Sequence, residues 1–194
     1  MKMLSLFAGI GGIDLAAMFA GIETCAFVEN NPFCQTVLAK NFPNIPIFGD
    51  IHDVTAESLE CRGVDRPNII VGGFPCQPVS LAGKRQAQTD DRWLWPEMRR
   101  LITEIRPDWV VGENVYGLVS KGLDDVLDDL ESLNYTAWPL VFPACAVGAP
   151  HQRERIFIVA HSRSERQSSK WDRGDDGAFH TVSPCGTVAH THGE

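Results

Sequence analysis

Residues 3–12 read MLSLFAGIGG, a short apolar run that leads into three glycines. Such a run predicts a buried strand, and the glycines predict a tight turn into the helical pattern that follows, with Asp14 in its first turn. Backbone N–H groups point outward at the start of a helix, so this turn can approach a polar ligand closely. The segment predicts the first strand, turn and helix of an α/β fold.

Short apolar runs continue to alternate with helical patterns up to about residue 160. Asn31 followed by Pro32 predicts the start of a helix. Another helix is predicted over residues 123–133, with a solvated acidic face formed by Asp124, Asp125, Asp128, Asp129 and Glu131. The alternation predicts an open, mostly parallel seven-stranded sheet with helices on both faces. Its expected strands are residues 3–7, 25–29, 46–48, 69–72, 109–113, 136–142 and 155–160.

The composition predicts one soluble globular domain without a membrane span or signal peptide. The chain has 194 residues, 44% hydrophobic and 22% charged, and a formal net charge of −8. This acidic balance excludes recruitment of nucleic acid by bulk charge, so a nucleic-acid function needs a local site. The six cysteines form no C-x-x-C pair, which predicts a reducing cytoplasm and no metal centre. The domain is expected over residues 1–161, followed by a polar segment at 162–194.

The ends of the first three predicted strands carry groups suited to a nucleoside. Gly9, Gly11 and Gly12 form the first turn, and Glu29 ends the second strand, where a carboxylate can accept hydrogen bonds from ribose hydroxyls. Asp50 and Ile51 follow the third strand and suit an adenine amino group and ring face. The alternative for Asp50 is a turn role after Gly49. Together these groups predict a nucleoside-bearing cofactor.

A candidate nucleophile follows the fourth predicted strand. The sequence GGFPCQP, residues 72–78, holds Cys76 between prolines at the edge of the sheet where ligands of open α/β folds bind. A lone cysteine is otherwise a small buried apolar residue. The rigid turn predicts instead a reactive thiol, which works as a thiolate.

Two further polar groups are expected near Cys76. Glu113 ends the fifth predicted strand in the sequence GENV and can donate a proton to a substrate, or form a structural hydrogen bond to the backbone. Arg153 and Arg155 in HQRERIF are predicted to lie on one face of the incoming last strand, where a guanidinium can bind a carbonyl or a phosphate. A surface ion-pair ladder with Glu154 is the alternative.

Taken in order, FAGIGG, Glu29, Asp50-Ile51, GFPCQ, ENV and QRER make the chain resemble the cytosine-5 DNA methyltransferases over about residues 3–161. The resemblance implies a Rossmann-like methyltransferase fold and S-adenosyl-L-methionine as cofactor. It implies cofactor-binding roles for Phe7, Gly9, Gly11, Gly12, Glu29, Asn30, Asp50, Ile51 and Pro75. Where the family often has a tryptophan that stacks on adenine, this chain has Asn30.

The resemblance also implies the chemistry. Cys76 would add to carbon 6 of a flipped-out cytosine while Glu113, as a neutral acid, bonds ring nitrogen 3. Arg155 would bind the base carbonyl and Arg153 would support the charge near the thiolate. Gln77 and Ser80 are the further expected substrate-binding residues, and residues 80–92 resemble the loop that closes over the base.

The family normally continues into a target-recognition region and a closing segment, and this sequence stops short of both. We therefore expect residues 162–194 to be a tail or the start of that region. The expected partner is double-stranded DNA, in a cytoplasmic protein of bacterial or phage restriction-modification type. A truncated or split subunit that needs a second polypeptide, and a cytosine-5 RNA methyltransferase, remain alternatives. An amino-methylating enzyme and a cysteine-dependent dehydrogenase fit the motifs less well.

Overall fold

A computed structural model describes residues 1–75 and 93–163 of the chain. Cys76, Gln77, Ser80 and the rest of residues 76–92, together with residues 164–194, lie outside the described residues. Within the described ranges, strands and helices alternate as the sequence predicts. The strands are β1 (Lys2–Leu6), β2 (Glu23–Val28), β3 (Ile47–Phe48), β4 (Ile69–Gly72), β5 (Trp109–Val115), β6 (Tyr135–Phe142) and β7 (Arg155–Ser162). The helices are α1 (Gly12–Phe19), α2 (Pro32–Asn41), α3 (Ala56–Cys61), α4 (Trp95–Ile105) and α5 (Leu123–Ser132).

The strands form one seven-stranded sheet in the order β3-β2-β1-β4-β5-β7-β6. β1 to β5 pair in parallel, whereas β7 runs antiparallel to both β5 and β6. The predicted mostly parallel α/β sheet is therefore confirmed. Because chain order reverses between β1 and β4, the carboxyl ends of these strands open a crevice, which is where ligands bind in such sheets.

Local sequence signals set the helix boundaries. Asn31 caps α2, its side chain accepting hydrogen bonds from the backbone N–H groups of Phe33 and Cys34, and Pro32 takes the first helical position. Thr55 and Ser58 form a reciprocal capping box at the start of α3. The cap at Asn31 places the start of α2 where the sequence analysis expects it, whereas α3 has no counterpart in that analysis.

The larger of two apolar cores joins the sheet to α3, α4 and α5. It includes Leu6, Ile70, Met98, Leu101 and Ile158, all at most 1% exposed. The smaller core packs α1 against the other face through Met3, Ala17, Ile69 and Val71. Burial of this apolar surface supplies most of the free energy of folding and holds the strand ends in register.

Two side-chain predictions need correction. Arg153 is not on the last strand: β7 begins at Arg155, and Arg153 precedes it, exposed, with a φ of 36° in the left-handed region. The acidic face of α5 is not solvated throughout, because Asp129 accepts a hydrogen bond from the indole of buried Trp95 and pairs with Arg99. Periodicity shows neither feature. The start of β7 depends on its pairing with β5 and β6, and the contacts of Asp129 depend on α4.

Candidate active site at the carboxyl edge of the sheet

A cleft of about 420 Å³ opens at the carboxyl ends of β1 to β4. Its volume falls within the range of about 300–1,000 Å³ that is typical of small-molecule sites. Six of the predicted cofactor-binding residues line it: Phe7, Glu29, Asn30, Asp50, Ile51 and Pro75. The sequence analysis missed the other lining residues, which are Val28, Gly49, His52, Gly73 and Leu94. The cleft therefore gathers side chains from four strand ends.

The glycine turn shapes one side of the cleft without lining it. Gly9 donates its backbone N–H to Glu29 Oε2 at 2.7 Å. Gly11 has a φ of 87°, and a Cβ there would lie 2.6 Å from a ring carbon of Phe42. Gly12 is the first residue of α1. Only glycine fits at position 11, because the backbone is left-handed there and Phe42 leaves no room for a Cβ. The structure therefore explains Gly11 by the shape of the turn.

Phe7 lies at the start of this turn with a φ of 53°, in the left-handed region that residues other than glycine rarely adopt. It follows β1 directly and lines the cleft. Such backbone conformations cost free energy and concentrate at ligand sites. The left-handed backbone at Phe7 turns the chain from β1 toward the glycines at the edge of the cleft.

Glu29 is a buried carboxylate that lines the cleft. It is 9% exposed, and its second oxygen, Oε1, accepts the backbone N–H of Asn31 at 2.8 Å. Both bonds come from rigid backbone, one from the glycine turn and one from the start of α2. A carboxylate oxygen can accept more than one hydrogen bond, so each keeps capacity for a ligand hydroxyl.

Asp50 and Ile51 follow β3, the strand next to β2, and both line the cleft. Ile51 is 4% exposed, whereas the Asp50 side chain is exposed and its Oδ1 accepts hydrogen bonds from the backbone and ring nitrogens of His52. These bonds, the backbone one first, hold the pKa of Asp50 below its ordinary value. Arg100 on α4 donates to the Ile51 carbonyl at 2.9 Å and so fixes this part of the cleft to the core helix.

Glu113 lies beyond the cleft, across Gly73. Because β4 and β5 are adjacent and Gly72 pairs with Gly112, the next residues, Gly73 and Glu113, are brought together. A Cβ on Gly73 would lie 3.2 Å from Glu113 Oε2. Gly73 also lines the cleft, so the Glu113 carboxyl group lies next to the wall of the cleft.

Arg155 is the partner of Glu113. Its Nε lies 2.9 Å from Glu113 Oε1, and the two side chains are 22% and 26% exposed. The antiparallel pairing of β5 with β7 produces this contact, since Val115 pairs with Arg155 and Glu113 with Phe157. The carboxylate and the guanidinium hold each other at the sheet edge while staying accessible to a substrate. Arg155 therefore pairs with Glu113 across the sheet, rather than in a ladder with the Glu154 carboxylate.

The residues of the cleft fit a nucleoside cofactor. A buried carboxylate stands where ribose hydroxyls need acceptors, and Ile51 with Asp50 offers an apolar surface beside an acceptor for an exocyclic amine. In residues 1–75 and 93–163, no group of at least three histidine, cysteine or acidic side chains is arranged to hold a metal ion. Across the same two stretches, no helix is long and apolar enough to cross a membrane.

Known proteins are similar in sequence to most of this chain. The family model for C-5 cytosine-specific DNA methylase matches residues 1–183. The type II methyltransferase M.AquIA of a Picosynechococcus strain is 35% identical over 177 residues, covering 82% of this chain and 71% of the relative. M.HgiBI of Herpetosiphon aurantiacus is 33% identical, and the match covers 81% of this chain but 36% of the relative.

Solved structures show the same fold. A DNA modification methyltransferase from an Escherichia coli prophage superposes with a TM-score of 0.71 at 26% identity, covering 84% of this chain and 47% of that one. DNMT2 of Spodoptera frugiperda gives a TM-score of 0.69 at 26% identity, covering 87% and 52%. This chain thus spans about half the length of these two proteins. With its fold, its cleft and these similarities, the chain belongs to the C-5 cytosine-specific DNA methylase family.

Proposed function

We propose that this chain is the catalytic part of an S-adenosyl-L-methionine-dependent DNA cytosine-5-methyltransferase, with its catalytic domain in residues 1–161. The observation that carries the proposal is the junction at Gly73. One side of Gly73 lines a cleft with a buried carboxylate, and the other faces the Glu113–Arg155 pair. A cofactor in the cleft and the Glu113–Arg155 ion pair would then lie on either side of Gly73. That arrangement lets the two act on different atoms of one substrate ring.

The cofactor would bind with its ribose on Glu29 and its adenine between Ile51 and Asp50. Apolar contacts would come from Phe7, Pro75 and Leu94, which line the same cleft. When bound, S-adenosyl-L-methionine supplies a methyl group that an electron-rich carbon can take. In this chain Asn30 occupies the position where the family often stacks a tryptophan on adenine, so Ile51 would provide the main apolar surface for the ring.

The chain's own residues would activate the cytosine. The Cys76 thiolate would form a bond to carbon 6 while Glu113, in its protonated form, gives its proton to ring nitrogen 3, which makes carbon 5 nucleophilic. The carboxylate that this leaves on Glu113 is the form that pairs with Arg155. Arg155 is held by Glu113 through Nε and by the Glu154 backbone carbonyl, to which Nη1 donates at 2.9 Å, so its remaining N–H groups would bind the base carbonyl. Once carbon 5 carries the methyl group, its proton would pass to solvent, nitrogen 3 would return its proton to Glu113, and the electron pair of the bond between sulfur and carbon 6 would leave with sulfur, which releases Cys76 as a thiolate.

The substrate we propose is double-stranded DNA with a flipped-out cytosine, because its ring faces are inaccessible within the duplex. Gln77 and Ser80 are the proposed substrate contacts beside Cys76, and all three residues lie outside the described part. Arg153 would approach the substrate from the exposed segment before β7. The setting we propose is cytoplasmic.

Covalent trapping tests the proposal. The chain is incubated with S-adenosyl-L-methionine and duplex DNA containing 5-fluorocytosine, whose fluorine blocks the final elimination, and the mixture is run on a denaturing gel. We expect a shifted band that Cys76→Ser abolishes, while the dissociation constant for S-adenosylhomocysteine, measured by calorimetry, stays within about threefold of wild type.

Cys145→Ser is the matched control, because Cys145 is an exposed cysteine on a turn before β7. Loss of the band in both variants, or its survival in Cys76→Ser, contradicts the assignment of the nucleophile. Cofactor binding without any band in the wild-type chain would favour the alternative subunit that needs a further polypeptide for DNA recognition.

A further inference from the structure

Asn114 is a buried amide on β5 that none of the proposed chemical steps uses. It is 5% exposed, and its Nδ2 donates a hydrogen bond to the backbone carbonyl of Phe74 at 2.9 Å. Its Oδ1 accepts the backbone N–H of Val115 at 2.8 Å. Both ends of the amide are therefore engaged, and one of them reaches a residue 40 positions earlier in the chain.

The Phe74 side chain is fixed as firmly as its carbonyl. The ring is 2% exposed and packs against Trp93 and Trp95, with ring centroids 5.6 Å and 5.3 Å away. A Cβ on Gly112 would lie 3.3 Å from a carbon of the Phe74 ring. The absence of a side chain at Gly112 lets the ring pack directly against β5.

Three successive residues of β5 therefore contact the segment that follows β4. Gly112 makes room for the Phe74 ring, Glu113 faces Gly73, and Asn114 bonds the Phe74 carbonyl. Because side chains alternate across a strand, Glu113 contacts this segment from one face of the sheet and Asn114 from the other. Asn114 thus holds the backbone of Phe74 by a hydrogen bond, while the Glu113 carboxyl group lies beside Gly73.

We propose that Asn114 is a positioning residue for methyl transfer. Its amide holds the Phe74 carbonyl against β5, so that the chain leading into Cys76 begins at a fixed point relative to the neighbouring Glu113. This inference rests on the proposed function. Two groups that act on one ring need sub-ångström placement, and a misplacement of about 1 Å can cost about 100-fold in rate.

The test replaces Asn114 by aspartate, which has nearly the same shape but lacks the donor and directs a second acceptor at the carbonyl. Asn68→Asp is the matched control. Asn68 immediately precedes β4, at the opposite end of the same strand pair. Its Oδ1 accepts the backbone N–H of Lys2 at 2.9 Å, and its Nδ2 donates to the Asp108 carboxylate at 3.3 Å, so Asn68→Asp also removes a donor that faces an acceptor. Asn114→Ala removes the donor without adding a charge and replaces Asn114→Asp if the latter does not fold.

Hydrogen exchange is the first measurement, because it requires neither cofactor nor activity. We expect Asn114→Asp to accelerate exchange of the backbone amides in the peptide that contains Gly73 and Phe74 by about tenfold or more. The variant loses the hydrogen bond to the Phe74 carbonyl, so this backbone opens more often. Asn68→Asp should leave exchange in that peptide unchanged. Unchanged exchange in both Asn114 variants would overturn the proposal.

Single-turnover kinetics and calorimetry provide the second measurement. We expect Asn114→Asp to slow methyl transfer about 100-fold while the dissociation constant for S-adenosylhomocysteine stays within about threefold. An equal loss of rate in Asn68→Asp, or an unchanged rate in Asn114→Asp, would overturn the positioning role. A wild-type chain that binds no S-adenosylhomocysteine would contradict the proposed function instead, and hydrogen exchange would still decide whether Asn114 holds Phe74.

Discussion

The proposed cofactor side and the proposed substrate side of the site hold their carboxylates by different means. On the cofactor side, Glu29 is 9% exposed and accepts two backbone N–H groups. On the substrate side, the Glu113 side chain is 26% exposed and pairs with the guanidinium of Arg155. Backbone donors cannot move without the fold, whereas a side-chain partner can turn toward a substrate. The difference matches the roles that we propose, a fixed binding group for Glu29 and a proton donor for Glu113.

The contrast extends to the surroundings of each carboxylate. Glu29 is tied to the glycine turn and to the start of α2, so both of its bonds are formed locally around β1 and β2. The surroundings of Glu113 depend on the pairing of β5 with β4 and β7, which come from distant parts of the chain. Changes on the cofactor side should therefore alter affinity and stability, and changes on the substrate side should alter rate.

The largest effect is expected for Glu113→Gln. The amide keeps the shape of the side chain but cannot deliver the proton to ring nitrogen 3, so the single-turnover rate of methyl transfer should fall by about 10²–10⁴-fold. The dissociation constant for S-adenosylhomocysteine should stay close to wild type. Glu131→Gln, at an exposed position on α5, is the control. A loss of cofactor affinity without loss of rate would break the comparison.

An intermediate effect is expected for Glu29→Ala. The variant leaves the N–H groups of Gly9 and Asn31 without their acceptor and removes the proposed ribose contact, so binding of S-adenosylhomocysteine should weaken by about 1–3 kcal/mol. Calorimetry measures this loss, and thermal unfolding should show a lower Tm. Glu23→Ala removes an exposed carboxylate that pairs with Lys2, and should leave binding unchanged. An unchanged dissociation constant in Glu29→Ala would remove Glu29 from the site.

The smallest effect concerns Asp14, a third carboxylate, which is held by hydroxyl groups beneath the glycine turn. It is 1% exposed and accepts hydrogen bonds from Ser5 and Thr24. Burial raises the pKa of Asp14 above its ordinary value of 3.8, against the opposing effect of those bonds. The protonated form is thus favoured in the folded state, and its contribution to stability is lost as pH rises through the folded pKa.

Asp14→Asn stays uncharged throughout this range. Relative to wild type, the variant should therefore gain stability as pH rises from about 4 to neutrality. Urea unfolding at several pH values measures the difference in the free energy of unfolding. Asp124→Asn, in the exposed first turn of α5, should show no such trend. A difference between Asp14→Asn and wild type that is constant with pH would show that the charge on Asp14 carries no cost.

Local patterns predicted much of the fold and several of the residues that line the cleft. Apolar runs predicted the seven strands, and Asn31 with Pro32 predicted the start of α2. Glu29 was expected beside the glycine turn at a strand end, and it lines a cleft there, because the glycine turn and the next strand end are neighbours in any parallel β-α-β unit. Its role in binding a cofactor stays a proposal. The predicted roles of Cys76, Gln77 and Ser80 stay predictions, since these residues lie outside the described part.

The sequence by itself determined the residue types, the strand and helix periodicity and the caps, because these follow from contacts between residues a few positions apart. Only the tertiary structure decided which distant residues meet. The antiparallel entry of β7 pairs Arg155 with Glu113 and leaves Arg153 before the strand, and the register of β4 with β5 places Asn114 on Phe74. No local pattern encodes these contacts, since they depend on strand order and register, which the packing of the whole sheet selects.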